Sequence, residues 1–240
     1  MNQRYVMGTF LTVSITGAEP ARLTTIFLDV IQHLEERLSI YRPESEVSRI
    51  NQAAGRHPVP VSEETFRVIQ DALAFAEKSE GAFDPTLQPL GYRRVQLDIN
   101  TRTVFLSVAG MTLNLGGIGK GYALDYALER VQQEGSPESV SADFGGQLLF
   151  WHKEGSFGPE TVLVEDPVTR TTRETFHVTS NCSISTSSNA ERPGHLRHSL
   201  TGEPSSEQGS STVIAATGIE AEALSTAFFV NGRFGVFGLA

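Results

Sequence analysis

Residues 115–122, with the sequence LGGIGKGY, lie between a predicted strand and a predicted helix. Glycines let backbone amides approach an anion closely, the start of a helix offers unpaired N–H groups, and Lys120 adds a positive charge. The segment therefore indicates either a phosphate site or a glycine-rich turn for close packing with a lysine in solvent. It is not a Walker loop, because Asn114 and Gly121 stand where that motif needs a glycine and a Ser/Thr, and it does not fit the Rossmann fingerprint.

The segments around this loop combine strand pairs with helices. Alternating apolar residues and turn residues predict strands at 8–16, 104–108, 111–115, 139–151, 161–164, 175–179 and 212–216. Ala109-Gly110 is expected to form a two-residue hairpin turn, and Gly145-Gly146 to break the segment 139–151 into a strand pair or to bend it as a single strand. The mixture favours an α+β fold with mixed or antiparallel sheets over a regular parallel βαβ array.

Four helices are predicted by apolar spacing and capping residues. The clearest begins after Pro20, and its apolar face comprises Leu23, Ile26, Phe27, Val30, Ile31, Leu34 and Leu38. The others run from an N-cap at Ser62 to Gly81, from about Tyr122 to Gln133, and onward from the capping box at 217–220. Residues 185–208 are polar and rich in Ser, Gly and Pro, which predicts a long loop.

Composition narrows the classes of partner. The 240 residues carry a net charge of −9, which argues against nucleic acid as a partner because that mode of binding needs a basic surface. The single cysteine, Cys182, excludes an intrachain disulfide. No run approaches about 18 consecutive apolar residues, so we expect no transmembrane segment. Because residues 1–9 show neither a secretory signal nor a lipoprotein start, we expect a cytoplasmic location.

The last predicted helix carries oxygen donors at helical spacing. Glu222 and Thr226 are four residues apart and therefore share one face. A carboxylate and a hydroxyl so placed suit Mg²⁺, although a solvated glutamate and a threonine bonded to its own helix give the same pattern. Elsewhere, residues 81–86 (GAFDPT) form either a simple helix-ending turn or a segment in which an exposed Phe83 beside Asp84 faces a ligand ring, and His195 lies in the polar loop.

The order of short motifs along the chain is more specific than any one of them. These motifs are MGT (7–9), LSIYR (38–42), ESEVSRIN (44–51), GAFDPT (81–86), PL (89–90), GGIGKGY (116–122), GG (145–146), EDP (165–167), STS (185–187), His195, TGEP (201–204) and ALSTA (223–227). In this order they resemble the FAD:protein FMN transferase family, the ApbE-like flavin transferases, along nearly the whole chain. The resemblance implies an ApbE-like, T-fold-like architecture, with residues 1–240 as a single domain that has two lobes at most.

The resemblance also implies roles for individual residues. Lys120 is similar to a family lysine beside the FAD pyrophosphate, and His195 to a histidine that assists substrate binding or proton transfer. The implied metal ligands are the Gly119 carbonyl, Glu222 and Thr226. The positions implied to bind FAD, besides Lys120, are Met7, Tyr41, Ala82, Phe83, Asp84 and Thr186.

The activity implied is Mg²⁺-assisted transfer of the FMN moiety of FAD onto a Ser or Thr hydroxyl of an acceptor protein, with release of AMP. Two departures from the family pattern leave alternatives open. Glu222 stands where the family usually has aspartate, and His198-Ser199 replace an Asp-Pro. The alternatives are an FAD pyrophosphatase, in which water replaces the acceptor hydroxyl, and a non-catalytic FAD-binding protein with a degenerate metal site.

Overall fold

The computed structural model describes residues 2–154, 159–166, 169–190, 201–203, 205 and 209–238. Its helices are α1 (Pro20–Leu38), α2 (Glu46–Gln52), α3 (Glu63–Lys78), α4 (Gly119–Glu134) and α5 (Gly218–Val230), with a 3-10 turn at Gly91–Arg94. Its strands are β1 (Asn2–Val6), β2 (Thr9–Gly17), β3 (Val59–Pro60), β4 (Val95–Asp98), β5 (Thr103–Leu106), β6 (Pro137–Phe144), β7 (Gln147–His152), β8 (Glu160–Glu165), β9 (Thr172–Val178), β10 (Cys182–Ser188), β11 (Ser210–Ala215) and β12 (Gly235–Gly238).

Within these described ranges the strands form one large and two small sheets. The large sheet has the order β1-β2-β6-β7-β10-β11-β12, and its neighbours are antiparallel except for the parallel pair β11–β12. The small sheets are β3-β5-β4 and β8-β9, both antiparallel. Helices with mixed and antiparallel sheets confirm the α+β class.

The core lies where the large sheet meets the helices. Leu11, Val13 and Ile15 of β2 point to the buried face, as the period-two pattern predicted. Phe27 and Ile31 of α1 are fully buried, so the helix presents the predicted apolar face. Helix α1 packs on α4, α4 on α5, and α5 on β10 and β11. This stacking brings the first turns of α4 and α5 together.

Several predicted elements are confirmed. Ser62 is the N-cap of α3 and accepts a hydrogen bond from the Thr65 backbone N–H. The strand predicted at 139–151 is the hairpin β6–β7, broken at Gly145-Gly146. The strands predicted at 161–164 and 175–179 are β8 and β9, which pair with each other. No helix in the part of the chain that the structure describes is both long and apolar enough to cross a membrane.

The hairpin predicted across Ala109-Gly110 is wrong. Strand β5 pairs instead with β4, through a turn in which the Asp98 carboxylate accepts bonds from the backbone N–H groups of Asn100 and Thr101, at 2.9 and 3.3 Å. Residues 111–115 lie outside any strand. Asn51 Nδ2 donates to the Leu113 carbonyl at 2.9 Å, and Asn51 Oδ1 accepts the Leu113 N–H at 2.7 Å. The side chain thus substitutes for a strand partner.

Two further boundaries differ from prediction. Helix α4 begins at Gly119, not near Tyr122, so Lys120 lies in its first turn. Residues 185–188, predicted as part of the polar loop, belong to β10 and pair with β11. The hydroxyl groups of Ser185, Thr186 and Ser187 hydrogen-bond to other side chains, which allows a polar segment to occupy a central strand.

Candidate functional site

One cleft of about 1280 Å³ brings together every predicted site residue that the structure describes. It opens between the large sheet, strand β8, the loop after α3, the first turn of α4 and the face of α5 that carries Glu222 and Thr226. The predicted residues that line it are Met7, Tyr41, Ala82, Phe83, Asp84, Gly119, Lys120, Thr186, Glu222 and Thr226. His195 and His198 lie outside the described residues.

The loop after α3 forms one wall of the cleft. Phe83 is not exposed as predicted but only 3% exposed, and its backbone N–H donates to Ser79 Oγ at 3.1 Å. The Asp84 carboxylate accepts bonds from Thr86 N and Oγ1, at 2.8 and 2.7 Å, and from Tyr92 N at 3.2 Å. Burial raises the pKa of the Asp84 carboxyl, and these bonds oppose the rise. Asp84 therefore shapes the wall through both of its oxygens.

The opposite rim comes from the turn between β1 and β2 and from the end of α1. Met7 has a φ of 48°, and its backbone N–H donates to Glu35 Oε1 at 2.7 Å. Glu35 Oε2 accepts from Arg42 Nη2 at 3.2 Å. Tyr41 is 86% exposed at this rim, which leaves its ring available to stack on a planar ligand.

The glycine loop joins the Phe83 wall to α5. A Cβ added at Gly117 would lie 3.3 Å from a Phe83 ring carbon and 3.4 Å from Thr226 Oγ1, so the loop backbone fits between these two side chains. Gly119 is the first residue of α4, and a Cβ there would meet nothing within 4 Å. In a regular helix the Gly119 carbonyl also accepts the N–H of Ala123.

Lys120 and Glu222 meet at the centre of the site. Lys120 Nζ forms an ion pair with Glu222 Oε1, and Glu222 Oε2 accepts the backbone N–H of Gly121 at 2.8 Å. Glu222 is 3% exposed, and a carboxylate so buried requires partners of this kind. The residue predicted for the pyrophosphate and a residue predicted for the metal therefore meet in one cluster.

A group of hydroxyls extends the cluster towards β10. Ser187 Oγ lies 3.3 Å from Thr226 Oγ1 and 2.9 Å from Ser225 Oγ, and Ser225 donates to Ser185 Oγ at 3.2 Å. Thr186 Oγ1 contacts Thr212 Oγ1 at 2.9 Å. Ser185 and Ser187 line the cleft and were not predicted as site residues, although the STS motif was the available signal.

The donor set fits Mg²⁺ in its chemistry. The Glu222 carboxylate, the Thr226 hydroxyl and the Gly119 carbonyl are the hard oxygen donors that this ion prefers, and all three residues line the cleft. Among the residues described, no group of three or more His, Cys, Asp or Glu could hold a metal ion. Such a site therefore depends on hydroxyl, carbonyl, water and phosphate oxygens to complete the shell.

Asp125, which the sequence did not predict as a site residue, binds the start of the helix that carries Glu222. Its Oδ1 and Oδ2 accept the backbone N–H groups of Gly218 and Ile219, at 2.7 and 2.9 Å, at the start of α5. Burial raises the pKa of Asp125 to about 6, and the negative charge of Glu222 adds to the rise. No local sequence pattern marks this residue, because its partners are more than ninety positions away.

The sequence model of the ApbE family matches residues 7–91 and 87–236. The chain belongs to the ApbE family. The two matched segments include the loop after α3, the glycine loop and the Glu222–Thr226 face of α5. This membership confirms the resemblance predicted from the motif order.

ApbE relatives match over different shares of their length. A "FAD:protein FMN transferase" of Klebsiella pneumoniae (strain 342) is 31% identical over 169 residues, which is 60% of this chain and 53% of that protein. One of Treponema pallidum (strain Nichols) is 28% identical over 280 residues, with 95% of this chain and 77% of that protein covered. The crystal structure of the ApbE protein from Thermotoga maritima, 28% identical, has a TM-score of 0.86 and covers 97% of this chain and 86% of that one. The fold is therefore the ApbE fold.

Proposed function

We propose that this chain is a FAD:protein FMN transferase, which moves the FMN half of FAD onto a Ser or Thr hydroxyl of an acceptor protein. The observation that carries the proposal is the cleft itself, in which aromatic and backbone groups face a cluster of charge and hydroxyls. FAD has the matching division, since an apolar ring system is joined to a charged pyrophosphate. The names of the ApbE relatives support the same activity.

The size of the cleft also supports a large substrate. Its volume of about 1280 Å³ exceeds the roughly 300–1,000 Å³ of most small-molecule pockets. We assign Phe83, Ala82, Met7 and Tyr41 to the flavin side, and Lys120 to the pyrophosphate. Thr186 and Asp84 complete the walls between them.

In the reaction, an acceptor hydroxyl oxygen forms a bond to the flavin-side phosphorus of FAD. The bond between that phosphorus and the bridging oxygen breaks, and AMP leaves with that oxygen. The hydroxyl proton passes to a base, and His195 remains our prediction for that role. Positioning and charge neutralisation supply most of the acceleration in reactions of this type.

The residues of the cluster bind the pyrophosphate and Mg²⁺. Lys120 binds a pyrophosphate oxygen and offsets its charge. Glu222, Thr226 and the Gly119 carbonyl would hold Mg²⁺, which when bound neutralises negative charge on the pyrophosphate. Ser187 orients the Thr226 hydroxyl through their 3.3 Å contact.

The hydrogen bonds of Glu222 support a second candidate function. Its two oxygens accept from Lys120 Nζ and from the Gly121 N–H, so a metal ion has to share the carboxylate with Lys120 or displace the lysine from it. A chain in which the ion pair persisted would bind FAD without turning it over. That outcome is the non-catalytic FAD-binding protein.

The deciding experiment is to incubate the purified protein with FAD, Mg²⁺ and a candidate acceptor and to analyse the products by mass spectrometry. The transferase yields acceptor carrying covalent FMN together with an equal amount of AMP. Free FMN and AMP without modified acceptor indicate FAD hydrolysis. Unchanged FAD in the presence of tight binding indicates the non-catalytic protein.

A cytoplasmic location and a single domain over residues 1–240 also remain proposals, testable by cell fractionation and by calorimetric unfolding.

A further inference from the structure

Helices α4 and α5 meet at their first turns in direct backbone contact. A Cβ added at Gly121 would overlap the carbonyl oxygen of Gly218, and one added at Gly218 would lie 2.7 Å from the carbonyl oxygen of Gly121. Only glycine permits backbones to approach this closely. Small changes in the position of one helix start are therefore transmitted to the other.

Two carboxylates cross this contact in opposite directions. Asp125 of α4 accepts the N–H groups of Gly218 and Ile219, the first residues of α5. Glu222 of α5 accepts the N–H of Gly121 in the first turn of α4. Each helix thus satisfies unpaired amides at the start of the other, and a carboxylate there also interacts favourably with the helix dipole.

Asp125 acts at a distance from the cleft. It lies five residues after Lys120 on α4, and its side chain lines a separate shallow depression of about 250 Å³. The amides that it binds begin the helix that carries Glu222 and Thr226. The contact with Asp125 therefore links the helix that carries these two donors to the helix that carries Lys120.

We propose that Asp125 is a positioning residue, which holds Glu222 and Thr226 in register with Lys120 by capping α5 from α4. The proposal rests on the proposed function, since it concerns the cation and pyrophosphate cluster of that cleft. Side chains that orient the ligands of a metal typically change metal affinity by about 10–100-fold when they are removed. Loss of Asp125 is expected to fall in that range.

Thr217 provides a matched control. It is the N-cap of the same helix, and its Oγ1 accepts the N–H of Glu220 at 3.3 Å. Its side chain is exposed and makes this bond within α5. Thr217→Ala therefore weakens the start of α5 without breaking the Asp125 link between α5 and α4.

The experiment compares Asp125→Ala, Asp125→Asn and Thr217→Ala with the wild type. Calorimetric titration gives the affinities for FAD in the presence of Mg²⁺ and for riboflavin, which lacks the pyrophosphate, and thermal unfolding gives the melting temperature. We expect Asp125→Ala to bind FAD about 10–100-fold more weakly while its riboflavin affinity is kept. Asp125→Asn, which keeps one acceptor oxygen, is expected to show a smaller loss of the same kind. We expect Thr217→Ala to bind FAD within about threefold of the wild type at a comparable drop in melting temperature.

The comparison separates positioning from stability. Unchanged FAD affinity in a folded Asp125→Ala protein overturns the proposal, as does an equal loss of FAD and riboflavin affinity. An equal loss of FAD affinity in Thr217→Ala assigns the effect to helix stability and overturns it as well. If Asp125→Ala does not fold, Asp125→Asn decides by the same criteria. Failure of the wild type to bind FAD overturns the proposed function and this proposal together, whereas a wild type that binds FAD beside unaffected variants overturns this proposal alone.

Discussion

Lys120 Nζ, in the first turn of α4, forms an ion pair with the buried carboxylate of Glu222, in the second turn of α5. The two residues are 102 positions apart in the sequence. The pair joins the residue predicted for the pyrophosphate to a residue predicted for the metal, so a substitution of either residue removes the ion-pair partner of the other.

Replacing Lys120 by alanine should weaken FAD far more than riboflavin. A charge-assisted contact to phosphate is worth about 1.5–3 kcal/mol, which corresponds to roughly a ten- to hundredfold loss of FAD affinity. Calorimetric titration with both ligands measures the effect. Lys78→Ala is the control, because Lys78 is an exposed α3 lysine that pairs with Glu220. Unchanged FAD affinity in a folded Lys120→Ala protein would mean that the lysine serves only to neutralise Glu222.

Removing the Glu222 carboxylate should abolish the Mg²⁺-dependent turnover of FAD. Glu222→Ala loses the predicted metal ligand and also leaves Lys120 and the Gly121 N–H without their acceptor. Glu222→Asp is expected to retain only part of this turnover, because the shorter side chain cannot span the same two donors. FMN transfer and AMP release at varied Mg²⁺ concentration measure both variants.

Glu220→Ala, in the first turn of the same helix, serves as the control for the Glu222 variants. Equal turnover by the wild type and both Glu222 variants, without regard to Mg²⁺, would refute the metal assignment. Higher activity in Glu222→Asp than in the wild type would instead mean that glutamate has loosened the site.

Gly121→Ala and Gly119→Ala should differ sharply although they lie two residues apart. At Gly121 the new methyl group meets the Gly218 backbone, so α4 and α5 must separate, which we expect to cost about 1–3 kcal/mol of unfolding free energy or more. At Gly119 nothing lies within 4 Å, and alanine favours a helix over glycine, so stability should be equal or slightly higher. Denaturant unfolding of both variants measures the difference, and equal stabilities would contradict the close contact of the two helices.

The raised pKa of Asp125 predicts a particular dependence of stability on pH. Its folded pKa of about 6 lies above the ordinary value of 3.8, so between these values the folded state binds more protons than the unfolded state. The contribution of this group is therefore fully present below about pH 4 and is lost as pH rises through 6, by roughly 3 kcal/mol in total. Chemical unfolding of the wild type and Asp125→Asn from pH 4 to 8 measures the contribution as a difference. A difference that does not vary with pH would contradict the raised pKa.

The amino-acid sequence by itself determined the features that depend on local interactions. Spacing of apolar residues along α1, the Ser62 and Thr217 caps and the Gly145-Gly146 turn each involve residues within a few positions of one another, and the structure has all of them. The motif order also identified ten residues that line one cleft. Each motif is short, but their order along the chain is specific enough to indicate the family and its fold.

Only the tertiary structure decided which distant groups meet. Strand β5 pairs with β4 on one edge and with β3 on the other, and the Asn51 side chain binds the backbone of Leu113, so the predicted hairpin does not form. The glycine loop predicts a role for Lys120, but its pairing with Glu222 follows from the fold, because the buried carboxylate requires a cation and the stacking of α4 on α5 supplies it. Asp125 shows no local signal, since the amides that it caps belong to a helix that begins more than ninety residues later. Burial makes such partnerships strong, and burial is a property of the packed chain rather than of any segment.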